Sequence, residues 1–111
     1  MDLEKRCEVG EDGALTLHLI GELTGPETGE FKSWVTECLG ERSASVVQIN
    51  CHRLHFIDSS GLGSLIFARK QVLDAGGELR LVEVSGWLRK FLQVTGLEET
   101  FCSELTTEDQ D

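Results

Sequence analysis

The chain has 111 residues, a formal net charge of −10, 40 % apolar and 27 % charged residues. This describes one soluble domain, and folding at this length buries roughly 60–70 % of the unfolded chain's surface, so no disulfide or metal is needed to complete a core. The acidic balance argues against nucleic acid and against an anionic membrane surface, both of which require a basic face.

Met1 to Arg6 has no apolar run behind it, and no stretch is apolar for long enough to span a membrane, so a cytoplasmic protein without a signal peptide is expected. Arg6 to Gly10 reads as a short first strand and Glu11-Asp12-Gly13 as a turn. Leu15, Leu17 and Leu19 alternate with polar residues, which predicts a strand over 14–23 with one inner face. Gly21 to Gly25 breaks it. Thr24 or Gly25 can cap a helix whose first turn accepts Pro26. Phe31, Trp34, Val35, Cys38 and Leu39 form its apolar stripe, and Gly40 stops it.

Val46, Val47 and Ile49 predict a central strand over 45–51, with 53–57 leading to a junction. Leu62, Leu65, Ile66, Arg69, Val72 and Leu73 then share a helical face, with Arg69 at its edge, and Gly76-Gly77 ends the helix. Glu78 to Val84 is a further strand, apolar on both phases and so expected to be buried on both sides. Ser85 can cap a third helix that turns Trp87, Leu88, Phe91 and Leu92 inward. Thr95-Gly96-Leu97 ends it, and Thr100 to Ser103 is a candidate edge strand. Six acids without a base fall between Glu98 and Asp111, and residues 104–111 read as a solvated tail on a domain spanning 1–103. Alternating strands and helices predict an α/β domain with parallel neighbours and right-handed crossovers, made mixed by the opening hairpin.

Cys7, Cys38, Cys51 and Cys102 include no C-x-x-C pair, and His18, His52 and His55 complete no zinc pattern with them. Reduced, mostly buried thiols are expected and no metal.

The segment Ile57-Asp58-Ser59-Ser60-Gly61-Leu62-Gly63 concentrates chemistry at the strand-to-helix junction. Ser59 or Ser60 can serve as N-cap, while Gly61 and Gly63 leave the first-turn amides open to an anion. The residues leave two readings open. One is a serine cap with glycines in a tight turn. The other is a phosphorylation switch that adds about −1.5 to −2 charges. A hydrolase elbow, a P-loop and a dinucleotide fingerprint all fail on spacing, and Asp58 reads as a turn residue.

With Asp58-Ser59-Ser60-Gly61-Leu62-Gly63 as its centre, the chain resembles the STAS domain family, most closely its stand-alone anti-sigma factor antagonists. Gly21-Glu22-Leu23, Gly76-Gly77-Glu78-Leu79, Phe91 and Gly96-Leu97 extend the likeness over about residues 15–101. The resemblance implies a four- to five-stranded mixed sheet with three to four helices and a binding role without catalysis or cofactor. It implies that Ser60 is phosphorylated by an anti-sigma factor that is a histidine-kinase-like ATPase acting on serine. The unphosphorylated protein would bind that partner and free the sigma factor, and a serine phosphatase would reset it. The implied partner-binding residues are Gly21, Glu22, Leu23, Thr24, Asp58, Ser59, Ser60, Gly61, Leu62 and Gly63. Thr24 departs from the pattern, which often has Asp there, and the C-terminus is short for the final helix of many relatives. The alternative is a constitutive structural subunit of a lipid-transport or stress-signalling complex.

Overall fold

The alternation read in the sequence becomes strands β1 (Leu3–Val9), β2 (Leu15–Leu23), β3 (Val46–Ile57) and β4 (Glu78–Val82), and helices α1 (Gly25–Leu39), α2 (Ser59–Asp74) and α3 (Gly86–Thr95). This is a computed structural model, and it describes residues 2–40 and 46–101. The acidic tail at 104–111, Cys102 and the expected strand start at Ser45 lie outside the described residues. The expected edge strand is corrected in part: Thr100 and Phe101 belong to a helical turn at 98–101, and Phe101 is a core residue.

The sheet order is β1-β2-β3-β4. β1 and β2 are antiparallel, joined through the expected turn, and β2, β3 and β4 are parallel. Two successive right-handed crossovers that advance in one direction place their helices on the same face, and α1 and α2 pack against each other. Leu15, Leu17 and Leu19 of β2, Val47 and Ile49 of β3 and Leu81 of β4 are buried beneath them. Each such side chain contributes about 1.5–3 kcal/mol of transfer free energy. One continuous core also takes in Phe31 and Val35 of α1, Leu65 and Val72 of α2, and Leu88 and Leu92 of α3. The opposite phase of each strand is only partly buried, so the expectation that β4 is buried on both sides is corrected. Val82 lies half-buried on the second face.

Two helices turn differently from the sequence reading. On α2 the buried set is Gly61, Leu62, Ser64, Leu65, Ala68 and Val72, whereas Ile66 and Leu73 are exposed. Small residues let α2 approach its neighbours closely, so its inner face is rotated toward them. On α3, Leu88 and Leu92 are inward, Phe91 is partly buried and Trp87 is exposed. Of the described cysteines, Cys38 and Cys51 are buried and Cys7 is exposed.

β3 is longer than expected because the lead-in at 53–57 continues the strand. It carries two extra residues relative to β2. His18 faces Asn50 but Ile20 faces Arg53, and Gly21 faces Leu54 but Glu22 faces Phe56. After Cys51 the buried positions step by three, to Leu54 and Ile57. Asn50 Oδ1 accepts the His52 amide at 2.9 Å and supports the first bulge. Such bulges bend a strand and re-aim its side chains.

Ser85 occupies the N-cap position of α3, yet its hydroxyl makes no cap hydrogen bond and is buried without a partner. Replacing an N-cap serine by alanine ordinarily costs about 1 kcal/mol. Here the removed group is an unsatisfied hydroxyl. Ser85→Ala is therefore expected to leave stability unchanged or to raise it, as measured by urea unfolding. A loss of ordinary cap size would show that the hydroxyl is satisfied in solution.

Candidate functional site

The carboxyl ends of parallel β2 and β3 lie side by side, and α1 and α2 start from them. Chain ends of this kind are where open α/β sheets place their sites. Each helix begins with amides that lack an intrahelical partner. Asp58 serves both sets. Its Oδ1 accepts the Gly61 amide at 2.8 Å, and its Oδ2 accepts the Gly25 amide at 3.2 Å. Asp58 thus caps its own helix and joins the start of α1 to the start of α2. The expected serine cap is corrected: the N-cap of α2 is Asp58, with Ser59 and Ser60 in the first turn.

Gly61 is required by packing. A Cβ there would lie 2.1 Å from the Leu23 carbonyl oxygen and 2.7 Å from Ile57 Cγ1. The residue is buried and its amide is taken by Asp58, which corrects the expectation that Gly61 offers open backbone. Gly63 fits that expectation better, being exposed with nothing near its Cα substituent position. Ser64 lies beneath the surface, where its hydroxyl donates to the Gly61 carbonyl at 2.6 Å.

Gly21 has φ +114, and a Cβ there would lie 2.3 Å from the Asp2 carbonyl oxygen. It admits the start of β1, so its place in the sequence pattern has a structural cause. Leu23 and Leu62 are core residues. Among the ten residues expected at the binding surface, Ser59, Ser60 and Gly63 are exposed, whereas Gly21, Glu22, Thr24 and Asp58 are partly buried. Sequence reasoning left out Phe56, which is 49 % exposed and opposite Glu22 in the sheet register. It also placed Ile66 in the core, although this residue is exposed on α2. A three-residue apolar step at Cys51, Leu54 and Ile57 is the signal that would have set Phe56 outward.

Thr24 is the N-cap of α1. Its amide donates to Glu27 Oε1 at 3.2 Å and its hydroxyl donates to the same oxygen at 2.6 Å. The hydroxyl bond is the largest cause that holds the Glu27 carboxyl below its ordinary pKa. With Gly25 bound to Asp58, Pro26 lacking an amide hydrogen, and the Glu27 amide bonded to the Thr24 carbonyl at 2.9 Å, the start of α1 is satisfied. At α2, Gly61 and Leu62 have acceptors in Asp58. The amides of Ser59 and Ser60 precede the first intrahelical bond and point their dipoles outward. The Ser60 side chain lies beside the start of α1: a Cβ at Gly25 would be 3.9 Å from Ser60 Oγ. The site can therefore hold an added negative group at the start of α2 without displacing an internal bond. Among the described residues no cluster of His, Cys, Asp and Glu is arranged to hold a metal ion, and no helix is long and apolar enough to cross a membrane.

The two helix caps can be tested separately. Asp58→Ala removes acceptors from two helices and should cost about 2 kcal/mol, with Asp58→Asn costing less, as read from denaturant midpoints. A loss confined to a few tenths would mean that water replaces both bonds. A folded-state pKa below the unfolded one stabilises the fold above the unfolded pKa, and that contribution is lost as pH falls through the folded pKa. Thr24→Val should therefore raise the Glu27 titration midpoint, followed by its carboxyl carbon shift, and weaken the acid-side loss of stability. An unmoved midpoint would count against the hydroxyl bond.

The family description "STAS domain" matches residues 8–110. An anti-sigma F factor antagonist from Paenibacillus polymyxa is 28 % identical over 85 residues, covering 77 % of this chain and 73 % of that protein. A putative anti-sigma factor antagonist from Thermotoga maritima superposes with a TM-score of 0.77 at 22 % identity, covering 96 % of this chain and 95 % of the other. The phosphorylated form of the Bacillus cell fate determinant SpoIIAA superposes with a TM-score of 0.66 at 23 % identity, covering 85 % of both chains. With its mixed sheet, its helices on one face and this match over nearly its whole length, the chain belongs to the STAS domain family.

Proposed function

We propose that the protein is an anti-sigma factor antagonist, a binding module whose affinity for its partner is switched by phosphorylation of Ser60. The observation that carries this reading is the position of Ser60: an exposed hydroxyl in the first turn of α2, beside the start of α1, on a loop held by Asp58. The relatives named above as antagonists support the role, and the name of a phosphorylated SpoIIAA supports modification as the means.

The partner is an anti-sigma factor that acts as a serine kinase of the histidine-kinase-like ATPase type. It binds the unphosphorylated surface around Ser59, Ser60 and Gly63, together with the flanking Glu22, Thr24 and Phe56. The γ-phosphoryl of ATP passes to Ser60 Oγ, the hydroxyl proton leaves to a base of the kinase, and ADP is the leaving product. ATP site and metal belong to that partner, and this chain supplies the acceptor. A serine phosphatase hydrolyses the phosphoester and restores the binding state.

The switch is local. A phosphoryl group in the first turn of α2 meets the positive end of the helix, an interaction worth about 0.3–1 kcal/mol at an exposed site. The fold is thus retained. In a docked complex the same group brings bulk and a charge into a contact made for a neutral hydroxyl. An unpaired charge at such a contact costs several kcal/mol.

Incubation with a cognate anti-sigma factor serine kinase and ATP, followed by mass spectrometry, should place one phosphate on Ser60. Ser60→Ala should bind the kinase like the unmodified protein and accept no phosphate. Ser60→Asp should bind at least about tenfold more weakly, a change of about 1.4 kcal/mol, while melting at an unchanged or slightly raised temperature. Phosphate found only at another residue would overturn the assignment.

A further inference from the structure

The face of the sheet away from α1 and α2 is not flat. A depression of about 380 Å³ opens on it over the β2 residues Leu19 and Ile20, and its polar lining is Arg6, His18, Asn50, His52, Arg53 and Glu83. This is the size of a small-molecule site, for which about 300–1,000 Å³ is usual. Its lining comes from every strand or its end. Arg6 is opposite His18, His18 opposite Asn50 and Asn50 opposite Val82, so one row of residues crosses the whole sheet. Neighbouring strands are about 4.8 Å apart, which separates the backbones of Arg6 and Val82 by roughly 14 Å.

Three features of the depression are unexplained by folding. First, the guanidinium groups of Arg6 and Arg53 have no hydrogen-bond or ion-pair partner among the described residues, and neither does the His52 ring. In a chain of net charge −10, acids are abundant, and two unpaired arginines on one face stand out against them. Of the acids on the same face of β1, Glu8 is engaged with His18 at 2.8 Å, and Glu4 lies two residues back along the strand. Second, the first bulge of β3 leaves His52 and Arg53 consecutive and both exposed, where regular alternation would bury one of them. Third, Glu83 has φ +57, the one positive φ outside glycine among the described residues. A side chain in this region is strained, and such residues gather where a ligand is held. Its carboxylate is exposed and stands at the other end of the row from Arg6.

We propose that this face binds a small phosphate ester that also carries hydroxyl or amino donors, such as a sugar phosphate. Arg6 and Arg53 take the phosphoryl group, since a guanidinium fork matches its oxygens. The strained Glu83 accepts a hydrogen bond from the other end of the molecule, and Asn50 and His52 lie between the two. Inorganic phosphate reaches the arginine end alone. The site shares no residue with the Ser60 loop, so its test is independent of the proposed switch.

The experiment is a titration of the ¹⁵N-labelled full chain with glucose 6-phosphate, followed by amide shifts, with glucose and inorganic phosphate in parallel. Saturable shifts should gather at residues 50–53 and at Glu83, with a Kd of about 1 mM or tighter. Glucose should produce none, and inorganic phosphate should bind several-fold more weakly. The double variant Arg6→Ala, Arg53→Ala should keep a dispersed native spectrum and bind at least about tenfold more weakly. Because both side chains are exposed, their loss is compatible with folding. Absence of saturable shifts, unchanged affinity in the double variant, equal affinity for inorganic phosphate, or shifts confined to residues 59–63 would each overturn the proposal.

Discussion

The shared cap at Asp58 is the constraint on which the rest of the site depends. A single carboxylate accepts an amide from each of two helices that begin about a third of the chain apart. It thereby fixes the ends of β2 and β3 relative to each other, and the Asp58 amide adds a bond to the Leu23 carbonyl at 3.4 Å. The same juncture demands a glycine at position 61, because the Leu23 carbonyl occupies the space of any Cβ there. Once Asp58 and Gly61 are in place, Ser59 and Ser60 have no structural duty. Their hydroxyls do not cap the helix and remain at the surface, available for recognition.

Much of this was legible in the residues. The alternation of Leu15, Leu17 and Leu19 gave a strand with one inner face, and the stripe from Phe31 to Leu39 gave a helix, because both periods are local properties. Thr24 before Pro26 marked a helix start for the same reason. The site itself was located but not resolved. Asp, Ser and Ser are all good caps, and only the position of Gly25, distant in sequence, makes the carboxylate the better choice. The singling out of Ser60 came from the family resemblance, since spacing left a cap and a switch both open.

The misread parts share a physical origin. Ile66 and Leu73 look like core because hydrophobic stripes are weighed by large residues. The actual inner face of α2 is decided by Gly61, Ser64 and Ala68, whose small size permits close approach. In β3, a run that changes from period two to period three cannot be read as one strand without knowing its neighbour. The bulges exist only relative to β2. These same irregularities leave Phe56 and Arg53 both exposed.

Thr24 shows how a departure from the family pattern is absorbed. Where the resemblance leads to the expectation of a carboxylate, this chain has a hydroxyl, which leaves the corner short of one charge. It has been supplied one helical turn later: the Glu27 carboxylate folds back onto the Thr24 hydroxyl and amide, which keep it ionised to lower pH. Two carboxylates at this end of the sheet, Asp58 and Glu27, are thus both bound to donors of the chain itself. Neither is an unengaged anion waiting for a cation on a partner. On the proposed reading, the charge that changes at this surface is the one added to Ser60, beside two helix starts whose capping carboxylates are already engaged.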